Sequence, residues 1–210
     1  MNVSLNSHLY GSDTALLLND NRDVADADLK QLVGFDHELR CKIRTVMLSR
    51  TNVTDSGIKH LSALPNLTSL FLNGSSITDA APLGDLPRSL EVLDLDDTDV
   101  GDQGVSKLCS LPKLRILRLR RTEATDRTVL ELLMAENLRE VWLDDTATSW
   151  AARRRLESNM ALSAAANAPI MPYLRYHGGN LLGAVTLRAR AYQPPFNYGN
   201  AAFGGQLAPL

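Results

Sequence analysis

The stretch LEVLDLDDTDVGDQGV, residues 90–105, decides the fold. Leu93 and Leu95 alternate with Asp94 and Asp96, the period of two expected of a strand with one face buried. From Val105 the apolar residues come at every third position, Leu108 and Leu111, and turn one side of a short helix onto that strand. The same order returns every 23 or 24 residues, in units that begin at Ile43, Leu67, Leu90, Leu114 and Leu138. Units reading L-x-x-L-x-L-x-x-T-x-V form a repeat architecture, because a unit this short buries its apolar face only by stacking on its neighbours.

Each column of the repeat has a physical reason. Val46 and Leu48, Leu70 and Leu72, Leu117 and Leu119, and Val141 and Leu143 repeat the buried pair of a short parallel strand. Thr51, Ser75, Thr98, Thr122 and Thr146 supply a hydroxyl to bond nearby backbone groups and hold the turn that leaves the strand. Val53, Ile77, Val100 and Ala124 pack back inside. Asp55, Asp79, Asp102 and Asp126 follow, where a carboxylate is expected to accept from the free N–H groups of the helical turn it introduces. In the second unit Pro82 predicts an irregular or 3₁₀ connection in place of a helix.

These columns resemble the leucine-rich repeat family, in the variant L-x-x-L-x-L-x-x-T-x-V-T-D-x-G-L, most clearly at residues 43–58 and 90–105. The resemblance implies an α/β solenoid with parallel strands on its concave face and short helices or 3₁₀ turns on its convex face. It covers about half the chain and speaks to fold more than to function. Leu16, Leu18, Val24, Asp26, Leu29 and Leu32 keep the same order in a degenerate earlier unit. The expected organisation is an N-terminal cap and degenerate repeat over 1–40 and five repeats over 41–148. A capping helix over 149–166, with Ser149 as its N-cap, and an extended tail over 167–210 complete it.

Composition bounds the function. A net charge of −2 over 210 residues gives no general affinity for polyanions. No apolar run has membrane-spanning length, and residues 1–21 hold no Lys or Arg to open a secretory signal, so an intracellular protein without a membrane partner is expected. Cys41 and Cys109 lie in different repeats without a C-x-x-C and read as free thiols. His8, His37, His60 and His177 are scattered, and neither a nucleophile motif nor a P-loop is present. The acidic run from Asp94 to Asp102 fails as a calcium loop, with Gly101 one place early and Leu108 where the bidentate glutamate belongs. The expectation is therefore no catalytic residue, no metal, no cofactor and no small-molecule substrate.

What remains is surface. Strands of a solenoid stack about 4.8 Å apart, which sets Asp94, Asp96 and Asp97 opposite Arg118, Arg120 and Arg121, and those opposite Trp142, Asp144 and Asp145. The plain reading is a self-neutralising ladder of exposed pairs, each contributing about 0–1 kcal/mol. The functional reading takes Met47, Phe71, Asp94, Asp96, Arg118, Arg120, Arg121 and Trp142 as partner contacts on the concave face, with Trp142 foremost.

The tail is a different material. After Glu157 the chain has no acidic residue, and the tail carries +3 against −5 for residues 1–157. Tyr173, Tyr176, Arg188, Arg190, Tyr192, Phe196, Tyr198 and Phe203 are its expected contacts, laid into pockets of a partner. Together these features read as a non-enzymatic protein-interaction module, a structural or scaffold subunit of a large cytoplasmic assembly of cytoskeletal, ciliary or ribonucleoprotein kind. Two alternatives are a substrate-recognition subunit of a ubiquitin ligase, which an F-box before residue 40 would mark, and an RNA-associated protein acting through Arg153–Arg155 and the aromatic tail.

Overall fold

The structure is a computed structural model that describes residues 3–11, 14–135 and 137–166. The tail over 167–210, with every contact expected of it, lies outside the described residues.

Seven short strands form one open sheet in chain order: β1 (Leu9–Tyr10), β2 (Ala15–Leu17), β3 (Thr45–Met47), β4 (Ser69–Phe71), β5 (Val92–Asp94), β6 (Ile116–Arg118) and β7 (Glu140–Trp142). β1 folds back antiparallel on β2, and every later pairing is parallel and in register, Val46 beside Leu70, Leu93 beside Leu117, Leu117 beside Val141. The first unit holds α1 (Asp26–Leu29), α2 (Gln31–Gly34) and α3 (His37–Lys42). The later units hold α4 (Asp55–Leu61), α5 (Asp102–Leu108) and α6 (Asp126–Leu132), with a 3₁₀ turn at Leu83–Asp85 where Pro82 interrupts the pattern. α7 (Trp150–Ala166) follows the last repeat, and the Ser149 hydroxyl accepts from the Ala152 amide at 3.2 Å.

The core is one continuous column of the repeated apolar residues, nearly all withdrawn from solvent. Its strands bend away through a fixed corner. Thr51, Ser75, Thr98, Thr122 and Thr146 each donate a hydroxyl hydrogen bond to the carbonyl three residues back, at 2.8, 2.5, 2.6, 2.7 and 2.7 Å. The residue before each hydroxyl is left-handed: Arg50, Gly74, Asp97, Arg121 and Asp145 have φ of 55°, 68°, 56°, 53° and 55°, and Asp20 of the first unit joins them at 60°. Left-handed backbone costs a non-glycine residue about 1–2 kcal/mol. The side chains pair across repeats, Arg50 on Asp20 and Arg121 on Asp97. Those pairs hold Asp20 and Asp97 below the usual carboxylate range, the arginine hydrogen bond being the largest cause.

The aspartate column corrects the sequence expectation. Asp26, Asp55 and Asp102 open helices and Asp79 stands at the equivalent place in the unit with the 3₁₀ turn, but their carboxylates bond the corresponding segment of the next unit. Asp26 accepts from the Thr54 amide at 2.8 Å and the Thr54 hydroxyl at 2.6 Å, and Asp55 binds Thr78 with the same two distances. Asp79 accepts from the amides of Gly101 and Gly104 at 2.7 and 2.8 Å. Asp102 holds the amides of Thr125 and Thr128, both at 3.0 Å, and their hydroxyls at 2.7 and 2.5 Å. Burial alone would raise the Asp102 pKa, and these bonds outweigh it and hold the carboxyl below its ordinary value. Each repeat thereby satisfies the orphan amides of its neighbour, and the helical side of the solenoid is fastened unit to unit.

Candidate functional site

The concave sheet divides into two zones. Over the first repeats its outward column is Leu17, Met47 and Phe71, flanked by Asn19, Ser49 and Asn73. Met47 and Phe71, expected to project into solvent, are each only 9% exposed. Neighbouring strands set them side by side, and the Asn19 amide nitrogen lies 3.4 Å from the Met47 sulfur. They read as lining more than as anchors.

The second zone is charged, and its acids are buried beneath its bases. Asp94 and Asp96 are 5% and 2% exposed, which overturns the expectation of an exposed ladder. Asp94 Oδ2 meets Arg118 Nη1 at 3.3 Å. Asp96 takes the Arg120 amide at 2.7 Å, the Arg120 Nε at 2.7 Å and its Nη2 at 2.5 Å, so both carboxylate oxygens are engaged. Burial first, and the charge of Asp96 second, push the Asp94 carboxyl above the ordinary range. Arg121 pairs with Asp97 at the rim, where both are about half exposed.

Arg118 and Arg120 both lie over the ring of Trp142. Their guanidinium carbons lie 4.9 and 4.7 Å from its ring centroid, within cation–π range. The ring nitrogen donates to Glu140 Oε1 at 2.5 Å. The acid–base–acid stripes therefore hold on the Asp94 and Asp96 side, while on the other side both arginines meet an indole, with no ion pair to Asp144 among the described residues. Trp142 stays partly open on the sheet, its position fixed by two arginines that are themselves held by buried carboxylates.

The acidic run that resembled a calcium loop is dispersed over three tasks. Asp94 and Asp96 hold arginines, Asp97 pairs with Arg121, and Asp102 fastens the next helix. Among the described residues no group of three metal-ligating side chains comes together. His37 Nε2 lies 3.5 Å from Cys41 Sγ on the exposed face of α3, an i, i+4 pair that an inventory of histidines alone passes over. Cys109 borders a shallow depression of about 200 Å³ with Pro112 and Met134. Burial, and after it the charge of Glu131, push the Cys109 thiol up to about 11, which keeps it a neutral, weak nucleophile. Of the basic run at 153–155, Arg153 is spent on the last turn, donating to the Thr148 hydroxyl at 2.6 Å, and Arg154 covers the Trp150 ring at 5.1 Å.

Comparison with known proteins agrees with this architecture. The family described as Leucine Rich repeat matches residues 87–109, a stretch running through β5 and α5. The fold is that of a leucine-rich repeat solenoid. A solved leucine-rich repeat protein of Leptospira interrogans is similar at 22% identity and a TM-score of 0.46, over 60% of this chain and 32% of that one. The chain thus spans about a third of that protein's length. A search of the curated proteins returned no match. Leucine-rich repeat domains generally mediate protein–protein interaction and are typically not enzymes. Among the described residues of this one, no helix is long and apolar enough to cross a membrane.

Proposed function

We propose that this leucine-rich repeat solenoid docks a protein partner on the charged zone of its concave sheet, with Trp142 as the anchor. One observation carries the reading: a partly open indole is fixed by Arg118 and Arg120, which buried Asp94 and Asp96 hold in place. A patch ordered before binding loses less side-chain entropy when a partner arrives, and Trp and Arg are the residues in which binding energy concentrates. Met47 and Phe71 support the sheet, and Arg121 contributes at the rim. The finer reading, a structural subunit of a large assembly, rests on the tail's composition: eight aromatic or basic contacts, Tyr173 to Phe203, in a stretch free of acid.

The test is quantitative affinity capture with three full-length variants. Trp142→Ala is expected to lose, at least tenfold, proteins that the parent retains, while the convex-face variant Met134→Ala keeps them and circular dichroism shows both folded. Replacing Tyr192, Phe196 and Tyr198 by serine should release the chain from any larger particle in sedimentation without removing the Trp142-dependent partner. Unchanged capture by Trp142→Ala would refute the concave anchor.

A further inference from the structure

We propose that the outer edge of β7 is a docking site for an extended, basic segment of a partner protein, which joins the sheet as one more parallel strand. The argument starts from the backbone. Leu18, Leu48, Leu72, Leu95 and Leu119 each donate their amide to the next repeat, at 2.8 to 3.0 Å, and so do Asp20, Arg50, Gly74, Asp97 and Arg121, at 2.8 to 2.9 Å. In return the carbonyls of Thr14, Arg44, Thr68, Glu91 and Arg115 each accept two amides of the next repeat. The counterparts one repeat on are the amides of Leu143 and Asp145 and the carbonyl of Arg139. Among the described residues these three meet no backbone partner.

The two ends of the sheet differ. At the first, β1 turns back on β2 and covers it. At the last, α7 packs against α6, on the helical side. Open ladder groups on an edge strand are a template for another strand.

Charge selects the occupant. Across the sheet Asp96, Arg120 and Asp144 alternate in sign, and so do Asp97, Arg121 and Asp145, so that each row reaches the edge as a carboxylate. The next strand in either row is favoured when it brings a cation, because opposite charges on neighbouring strands stabilise and like charges repel. From Arg139 to Asp145 this edge carries three carboxylates, Glu140, Asp144 and Asp145, against the one cation of Arg139, and that acidic excess disfavours a second copy of the same edge. A basic segment with side chains alternating between the two faces would set one cation against Asp144 while its backbone closes on Leu143, Asp145 and Arg139. This inference is independent of the concave-face reading: it uses the backbone edge, and the two fail by different measurements.

The probe is a capped ten-residue peptide that alternates arginine with valine, added to the full-length chain while amide hydrogen exchange is followed residue by residue. The Leu143 and Asp145 amides are expected to exchange at least tenfold more slowly with it. A peptide with glutamate in place of arginine should have no such effect, nor should an arginine peptide N-methylated at alternate positions. The charge-reversed variant Asp144→Lys with Asp145→Lys should lose the protection while remaining folded. Three results would overturn the proposal: no slowing with the arginine peptide, equal slowing with the glutamate peptide, or amides already protected in the peptide-free chain, which would show the edge filled by this chain or by another copy.

Discussion

Gly57→Ala is expected to destabilise the domain by about 3 kcal/mol, although alanine is the better helix former by about 1 kcal/mol. A Cβ on Gly57 would stand 2.5 Å from Asp26 Oδ1, 2.9 Å from Val53 Cγ1 and 3.1 Å from Leu29 Cδ1. The carboxylate has no room to retreat, because it holds both the amide and the hydroxyl of Thr54. Gly104 is built alike, with Asp79 Oδ1 at 2.7 Å and Val100 Cγ1 at 2.8 Å from its absent Cβ. In the next repeat Thr128 fills the same column, and its hydroxyl becomes a donor to Asp102. Gly34→Ala is the control, since nothing lies within 4 Å of a Cβ there. Urea unfolding of the two variants beside the parent checks the expectation, and a Gly57→Ala protein as stable as the parent would remove the inter-repeat carboxylate from the account.

The second large effect is expected at Arg120. Arg120→Ala leaves the Asp96 carboxylate 2% exposed in the native packing with its guanidinium partner gone, a loss of about 3 kcal/mol for a buried charge stripped of its counter-ion. Asp96→Ala alone also costs, and the double variant should cost about 2 kcal/mol less than the two single losses together. The rim pair gives the contrast: Arg121→Ala breaks an ion pair with both partners about half exposed and should change stability by less than about 1 kcal/mol. Equal effects at Arg120 and Arg121, or no coupling in the Arg120 and Asp96 cycle, would mean that burial of the acids is not what distinguishes the two rows.

The parallel strands and their register were legible because equivalent residues recur at a fixed spacing, and register in a stacked sheet follows directly from that spacing. Asp94 opposite Arg118 opposite Trp142 is a case in point. The partners of the aspartate column were not legible by the same route. A sequence reading assigns Asp102 to the helix it begins, whereas its carboxylate reaches Thr125 and Thr128 of the following unit. The signal was present in the glycine two places after Asp55 and Asp102: a helix gives up its Cβ there to admit a neighbour's carboxylate. Burial of Met47 and Phe71 escaped because alternation alone labels every second residue outward, without the cover that adjacent strands lend each other. The arginines offered two partners, Asp144 or the indole of Trp142. Buried Asp94 and Asp96 meet the two guanidiniums from the preceding repeat, and the ring of Trp142 meets both from the following one.

The claim at the centre of this account is that the concave sheet beside Trp142 is where a protein partner sits. A photoreactive benzophenone side chain placed at position 116, half-buried on that sheet, or at position 134 on the convex side, where Met134 is 79% exposed, addresses it directly. On irradiation of the full-length chain in extract of its own cells, the account predicts a discrete cross-linked adduct from position 116 that disappears with Trp142→Ala, and none from position 134. An adduct from position 134 with none from position 116 would contradict it.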